Sequence, residues 1–569
     1  MQIRIDNEKN RLLITPLGED DFTILMKLPS RRWMAKAKMF VVPATRVNCA
    51  HLLANTSIMA QMEWDPKIVM HIQQHATTTA GDRPFPKWYG FKSNPFPDQF
   101  NAVHKCYKND AWALFMRMGA GKSKAAIDLV TAAFYERTID AVVLICPNAV
   151  KPVWLASDGQ IAEHSPCPTL KVDVDAKFEA ADIEVSQSKL TWVVVGIESF
   201  SQGGTYDRLV PFIENHKCAV VIDESSRIKN PKAIRTQRVI SLGPKAVMRG
   251  VMTGTSVTKL ILDLFAQFEF LGPDIIGTGD FYSFRNRYAI MGGYKMKKVV
   301  GYDNIDELMT LVAPYVYICD KPAGLPPKLF TQRHVRLSPE QKDMYLKLKR
   351  AKIPEVSVAN VLNKVAKLQE IVGGFLREDP TISISPLTGR EKRTQGQIIW
   401  QLAPEKNPKL IELIAMAEEA GDEPMVVWCK YRWEIEQVGM VLQQMGPTKY
   451  LHGDIPMEER TEIIQRLQGG DVRYIVATQQ VGGIGHTMTA AHLMTYYSNT
   501  HSLEDRLQSE DRIHRIGQDE NCLYTDLVAD KTVDELIQDS IKAKKNLDEY
   551  VREKMVSASF ALEKLLGEG

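Results

Sequence analysis

The sequence predicts an α/β protein built on two separate parallel sheets, each covered by helices on both faces. Three observations carry that expectation. Apolar runs of strand length recur at Trp112–Met116, Ala141–Cys146, Trp192–Gly196, Cys218–Ile222, Val247–Met252, Met425–Cys429, Tyr474–Ala477 and Leu493–Tyr497. They are rich in Val and Ile, and helical patterns follow most of them, as expected of parallel strands buried on both faces. The runs form two sets separated by more than a hundred residues, so two sheets are expected.

The chain has 569 residues, a length that suggests roughly three or four domains. No apolar run approaches the ~20 residues of a membrane span, so no membrane partner is expected. The polar start, Met1 to Asn10, is unlike a signal peptide. Eight cysteines lie scattered without a Cys-x-x-Cys pair, which argues against zinc and disulfides and fits a reducing, cytoplasmic setting. A net charge of only +2 means that a nucleic-acid partner must be held by local patches. Pro/Gly-rich breaks punctuate the chain at Gly81–Pro86, Pro322–Pro327 and Pro380–Gly396, the last polar and expected as a loop.

The strand ending at Met116 runs into Met118-Gly119-Ala120-Gly121-Lys122-Ser123, and a helix follows from Lys124. A glycine loop between strand and helix makes an anion cradle, with backbone N–H groups and the helix dipole aimed at phosphates. Lys122 would neutralise the β- and γ-phosphates of ATP, and the Ser123 hydroxyl would ligate Mg²⁺. The full pattern wants glycine at Met116. The shorter core arises by chance in roughly one chain in fifty, so the flanking strand and helix carry the assignment.

A second apolar strand, Cys218 to Ile222, ends in Asp223-Glu224-Ser225-Ser226. Open α/β sheets bind ligands at the carboxyl ends of their strands. Asp223 would hold Mg²⁺, and Glu224 would orient and deprotonate the attacking water. Alone, such a pair reads equally well as a helix cap. Its place about a hundred residues after a phosphate loop favours catalysis.

In this order the motifs resemble the superfamily-two helicases and, within them, the Swi/Snf-type DNA-dependent ATPases. Asp223-Glu224-Ser225-Ser226-Arg227-Ile228-Lys229-Asn230 resembles the family's acidic box and its extension. Pro147 to Trp154 resembles the segment after the second strand, and Thr253-Gly254-Thr255-Ser256 its Thr-Gly-Thr-Pro motif. Leu264-Phe265 through Phe270-Leu271-Gly272-Pro273 resembles its helical insertion. Leu325-Pro326-Pro327-Lys328, taken with Leu337 to Gln341 and Tyr345, resembles a later family pairing. Pro97-Asp98-Gln99 is similar to the upstream glutamine segment, so the resemblance implies that Gln99 reads adenine.

Gln508, Asp511-Arg512 and His514-Arg515-Ile516-Gly517-Gln518 are similar to the family's last motif. There the resemblance implies that Arg512 and Arg515 bring charge to the γ-phosphate as arginine fingers. Gly482-Gly483-Ile484-Gly485, followed by Thr487, Thr489, Ala490 and Ala491, resembles the glycine-rich fifth motif, which touches the DNA backbone. The resemblance thus implies nucleotide contacts from Gly119, Ala120, Gly121, Lys122, Ser123, Gly485 and Gln508. It implies DNA contacts from Trp154, Thr478, Gly482, Gly483 and Thr489. The family usually has His at Ser226, Pro at Ser256, Trp at His501 and an acidic residue at Met118.

Residues 24–43 place Trp33 among Arg31, Arg32, Lys36 and Lys38 and resemble the substrate-recognition module of HARP-type annealing helicases. Two readings stand side by side. Arg31 and Arg32 bind phosphates while Trp33 stacks on an unpaired base, or Trp33 fills the core of a small α/β module. Lys295, Lys297 and Lys298 lie in a loop that either touches DNA or forms a solvated hairpin.

The resemblance, covering roughly residues 90–545, implies two tandem RecA-like parallel-sheet lobes with helical insertions, plus a small N-terminal α/β module. The expected parts are a recognition module at 1–80, lobe one at 86–345 with an insertion after 257, a helical protrusion and linker at 346–405, lobe two at 406–530, and bracing helices at 531–569. The implied activity is ATP-driven, Mg²⁺-dependent translocation on double-stranded or forked DNA that remodels, reanneals or branch-migrates it in replication, recombination or repair. A monomer is expected, with replication or recombination proteins as candidate partners. So compact a form suits a bacterium or a phage, the latter acting in its host's cytoplasm. The rivals are a strand-separating helicase, a non-catalytic clamp and a phosphate-loop kinase or metabolic ATPase.

Overall fold

The computed structural model describes residues 1–6, 11–26, 28, 31–44, 46–56, 64–77, 85–174, 183–201, 204–254, 261–293, 298–319, 325–351, 358–379, 381–384, 391–394, 396–479, 487–515 and 517–566. The chain divides into two units. One comprises Met1–Ala323 with Asn546–Gly569, the other Gly324–Lys545.

The first unit opens with β1 (Gln2–Asp6), β2 (Arg11–Thr15), β3 (Arg32–Met34) and β4 (Met39–Pro43), which form an antiparallel sheet in the order β1-β2-β4-β3. Period-two alternation turns Leu12, Ile14, Phe40 and Val42 to one face, where they meet Leu25, Cys49, Leu52, Trp64 and Ile72. The helices Arg46–Asn55 and Pro66–Thr77 lie beyond it in sequence.

Next come β5 (Ala111–Met116), β6 (Ala141–Cys146), β7 (Thr169–Val174), β8 (Leu190–Gly196), β9 (Cys218–Asp223), β10 (Met248–Thr253), the antiparallel hairpin β11 (Ala289–Gly292) and β12 (Lys298–Tyr302), and β13 (Val316–Cys319). Among the described residues a seven-stranded sheet runs β13-β5-β10-β9-β6-β8-β7, and all its pairs are parallel. Every residue of β5, β6, β8 and β9 is buried, which is why these strands read as unbroken apolar runs. β10 lies between β5 and β9, so the loops after β5 and β9 leave the same edge two strands apart. The hairpin β11–β12 brackets the Lys295–Lys297 loop, which lies outside the described residues.

The second unit holds β14 (Lys328–Val335), β15 (Phe375–Arg377), β16 (Thr381–Ile384), β17 (Glu391–Thr394), β18 (Ile398–Gln401), β19 (Met425–Cys429), β20 (Thr448–Leu451), β21 (Tyr474–Thr478), β22 (Leu493–Tyr496) and β23 (Cys522–Ala529). Six of them form a second sheet, β14-β23-β22-β19-β21-β20, again parallel throughout. Two sheets of the expected kind are therefore present.

Two expectations are corrected. Lobe one was expected to reach 345, but β14 pairs along its whole length with β23 in the second sheet, so the changeover falls at Ala323/Gly324. The Pro380–Gly396 stretch was expected as a loop, yet β16 and β17 pair there as an antiparallel ribbon, which needs no apolar run. At the far end a single helix spans Val533–Leu566. Its Ile537 and Ile541 pack with Leu503 and Leu507 of the second unit, whereas Val551 and Met555 belong to the first unit's core.

A buried polar network ties the second sheet to the helix Leu503–Glu510. Arg506 donates through Nη1 and Nη2 to the two oxygens of Asp526 on β23, at 2.6 and 3.0 Å, and through Nε to Glu510, at 2.8 Å. Its guanidinium lies over the Tyr496 ring. Such a group is tolerated inside because every charge has a bonded partner. Burial pushes the Glu510 carboxyl up, but Lys328, Arg506 and Lys545 outweigh it and hold it at about 2, against an ordinary 4.5. A depressed folded value stabilises above the unfolded one, so the stabilisation is full above pH 4.5 and is lost as pH falls toward 2. It amounts to about 3 kcal/mol. Urea unfolding from pH 6 downward should show this loss for the native chain, and Glu510→Gln should lack that part of it.

Candidate functional site

In the first unit the nucleotide motifs come together at the carboxyl edge of the parallel sheet. β5 delivers the chain to Arg117, whose N–H donates to the Cys319 carbonyl at the end of β13. The loop then turns through Gly119 (φ +78°) and Gly121 (φ +81°) into the helix Lys122–Tyr135. Both glycines sit in the left-handed region that a side chain resists. The space above Gly121 is closed as well, because an added Cβ would lie 1.7 Å from Gln99 Nε2. Gln99, expected to read adenine, therefore packs on the phosphate loop. Its Oε1 accepts from the Phe96 N–H at 2.9 Å.

Lys122 occupies the first helical turn and is buried. Its Nζ donates to the Met118 thioether at 3.5 Å. Met118 also faces Gly254 after β10, where an added Cβ would come within 3.3 Å of it. Ala120 is buried and Ser123 half-buried.

Asp223 ends β9, buried, and meets two donors. The Trp154 indole N–H reaches Oδ2 at 3.1 Å, and the Glu224 N–H reaches Oδ1 at 3.0 Å. Burial raises the Asp223 carboxyl above its ordinary value, and the Lys122 charge, the indole N–H and the Glu224 N–H oppose that rise. Glu224 is buried too and takes φ +54°, a left-handed conformation uncommon for a residue with a side chain. Ser225 and Ser226 behind it are buried.

The oxygen donors suit Mg²⁺. The Ser123 hydroxyl and Asp223 carboxylate are hard ligands, and a magnesium ion draws its others from phosphate and water. Among the described residues no group of three or more His, Cys, Asp or Glu is placed to hold a metal ion by itself, and this arrangement does not require one.

Trp154 is corrected. Expected on DNA, it is 1% exposed and bonded to Asp223. Its role rests on a partner 69 residues away, for which the sequence carries no spacing signal.

The remaining motif residues of the catalytic core lie in the second unit. Gln508 is buried in the helix Leu503–Glu510. Arg512 is buried in the turn that follows, and its carbonyl accepts from the Met488 N–H at 2.9 Å. Arg515, half-buried, donates through Nε to the Asp511 carbonyl at 3.1 Å and through Nη1 to Thr487 Oγ1 at 3.4 Å. Thr478 ends β21 and is half-buried. Thr489 Oγ1 accepts from Gln468 Nε2 at 3.2 Å. Gly482, Gly483 and Gly485 lie outside the described residues.

In the N-terminal module Trp33 stands on β3 and is 42% exposed. It lies edge-on to Phe22 and tilted against Phe40, with centroids 5.8 and 4.8 Å apart. It therefore sits at the core's fringe and is not enclosed by it. Arg32, Lys36 and Lys38 are exposed, and Arg31 donates to the Leu28 carbonyl at 3.0 Å.

Comparison with known proteins finds an SNF2-related domain over residues 98–378 and a helicase conserved C-terminal domain over residues 405–517. Among similar chains, an ATP-dependent helicase/translocase of Bacillus subtilis is 22% identical over 58% of this chain. A SWI/SNF-related regulator of chromatin, subfamily A member 1, of Mus musculus is 25% identical over 60%. An ISWI chromatin-remodelling ATPase of Saccharomyces cerevisiae is 23% identical over 82%. The chain spans 35, 32 and 41% of their respective lengths. Among solved structures, the Sulfolobus solfataricus SWI2/SNF2 ATPase core in complex with dsDNA matches at 21% identity and a TM-score of 0.37, covering 84% of this chain and 98% of that one.

Trp154→Phe removes a donor that favours the charged form of Asp223, so that carboxyl should titrate higher still. The acid limb of the ATP-turnover profile should then move to higher pH. An unmoved limb would mean that the indole adds nothing to the charge.

Proposed function

The chain pairs an SNF2-related domain with a helicase conserved C-terminal domain and is homologous to the SWI/SNF ATPases and superfamily-two translocases, and from that premise we propose that it hydrolyses ATP to move along double-stranded DNA without separating the strands. The observation that carries the reading is the convergence of Lys122, Asp223 and Glu224 at one sheet edge, with the glycine loop two strands from the carboxylates.

In this reading the Gly119–Ser123 backbone cradles the phosphates and Lys122 neutralises their charge. Glu224 orients and deprotonates the water that attacks the γ-phosphate. Ser123 and Asp223 would hold Mg²⁺, which would supply positive charge beside the phosphoryl oxygens. Arg512 and Arg515 serve as the finger residues, and loss of the γ-phosphate removes what they grip. Thr478, Gly482, Gly483 and Thr489 then follow the DNA backbone. ATP turnover should rise on the order of ten-fold with duplex DNA, and Lys122→Ala should lower it by on the order of 10²-fold. Single-stranded, forked and RNA substrates serve as comparisons, and no hydrolysis with any of them would sink the proposal. Strand displacement would instead favour a helicase that unwinds.

A second reading concerns replication forks and rests on Trp33. An exposed indole beside Arg32, Lys36 and Lys38 suits a junction where a base is unpaired. Remodelling or reannealing of such junctions, in replication, recombination or repair, follows from it. Trp33→Ala should weaken forked-DNA binding by about 1–3 kcal/mol while blunt duplex binding stays the same, as read by fluorescence anisotropy. Equal losses on both substrates would remove the junction role.

A further inference from the structure

We propose that Gln267 is a positioning residue for hydrolysis, holding Ser225 and, through it, the backbone of Glu224. The inference rests on the role given above to Glu224 as the group that orients the attacking water.

Glu224 departs from β9 in the left-handed conformation, φ 54° and ψ 54°. A glutamate stays there only when its surroundings over-determine it. Its N–H donates to Asp223 Oδ1 and its carbonyl accepts from the Arg227 N–H, each at 3.0 Å, and the residue that follows it, Ser225, is itself held. Its hydroxyl donates to Gln267 Oε1 at 2.7 Å, and neither Ser225 nor Gln267 is exposed at all. Gln267 is fixed from the other side, since its Nε2 donates to the Asp263 carbonyl at 3.2 Å. With its oxygen accepting and its nitrogen donating, one orientation of the amide satisfies both bonds.

The anchor itself is rigid. Gln267 sits in the helix Leu264–Leu271, where Leu264, Phe265, Phe268, Phe270 and Leu271 are all core residues. An amide in so apolar a helix is costly unless bonded, and an apolar side chain there would simply pack. What the amide adds is a fixed point for the turn that carries Glu224. Small displacements of a reacting group lower the chemical rate much more than they weaken binding.

The test is steady-state ATP turnover with saturating duplex DNA, for the full chain and for Gln267→Met, Ser225→Ala and the double variant. Methionine keeps the shape of glutamine and removes its bonds. Each single change should lower kcat on the order of ten-fold and leave the KM for ATP unchanged. The double variant should fall no further than either single, because the two residues act as one unit. Thermal melting should show the variants folded. If Gln267→Met does not fold, Ser225→Ala decides. A kcat within about two-fold of the native chain, or single losses that multiply in the double variant, overturns the inference. A native chain that hydrolyses no ATP overturns the proposed function along with it.

Discussion

A carboxylate buried at the end of an apolar strand sets the terms for the first unit. Asp223 is buried at the end of a fully buried strand, and desolvation works against its charge. Nothing within an apolar sheet can offset that. The compensation comes from the sheet's edge, where Lys122 approaches from the first turn of the helix after β5 and the Trp154 indole from the short helix after β6. Because β5, β10 and β9 run parallel, the loops after β5 and β9 leave from one rim with a single strand between them. The second unit meets an equivalent demand differently. There Arg506 lies between Asp526 and Glu510 within the interior, and Lys328 supplies the second positive charge.

What could be read in the sequence divides along physical lines. Central strands such as β6 and β9 are buried on both faces and stand out as apolar runs. The edge strands β7 and β14 are half-exposed, so their mixed residues gave no run to detect. β23 is almost wholly buried but escaped because Asp526 interrupts it. That aspartate is admitted by the Arg506 guanidinium 20 residues away and by the Asn499 amide, which donates to its Oδ1 at 2.7 Å.

The candidate site follows the same division. Lys122, Asp223 and Glu224 were legible because phosphate chemistry ties residue types to short, fixed spacings. The indole bonded to Asp223, the thioether beside Lys122 and the amide behind Ser225 were not. Two of those three contacts cross tens of residues, and the third depends on one methionine rotamer. Met118 shows the cost of reading by pattern alone. Where the resemblance implied an acid, the chain places a polarizable sulfur that meets the lysine's ammonium.

The path of the chain has a consequence for how the protein is made. The chain leaves the first unit at Ala323 and returns to it at Asn546, so the second unit is inserted into the first. Val551 and Met555 complete a core that begins as far back as Ala111. A ribosome building this protein thus finishes the earlier unit last. The usual order, in which an N-terminal domain folds while its successor is still being synthesised, is open to the second unit sooner than to the first. For as long as it takes to add residues 324–545, the nascent first unit lacks two of its own core side chains.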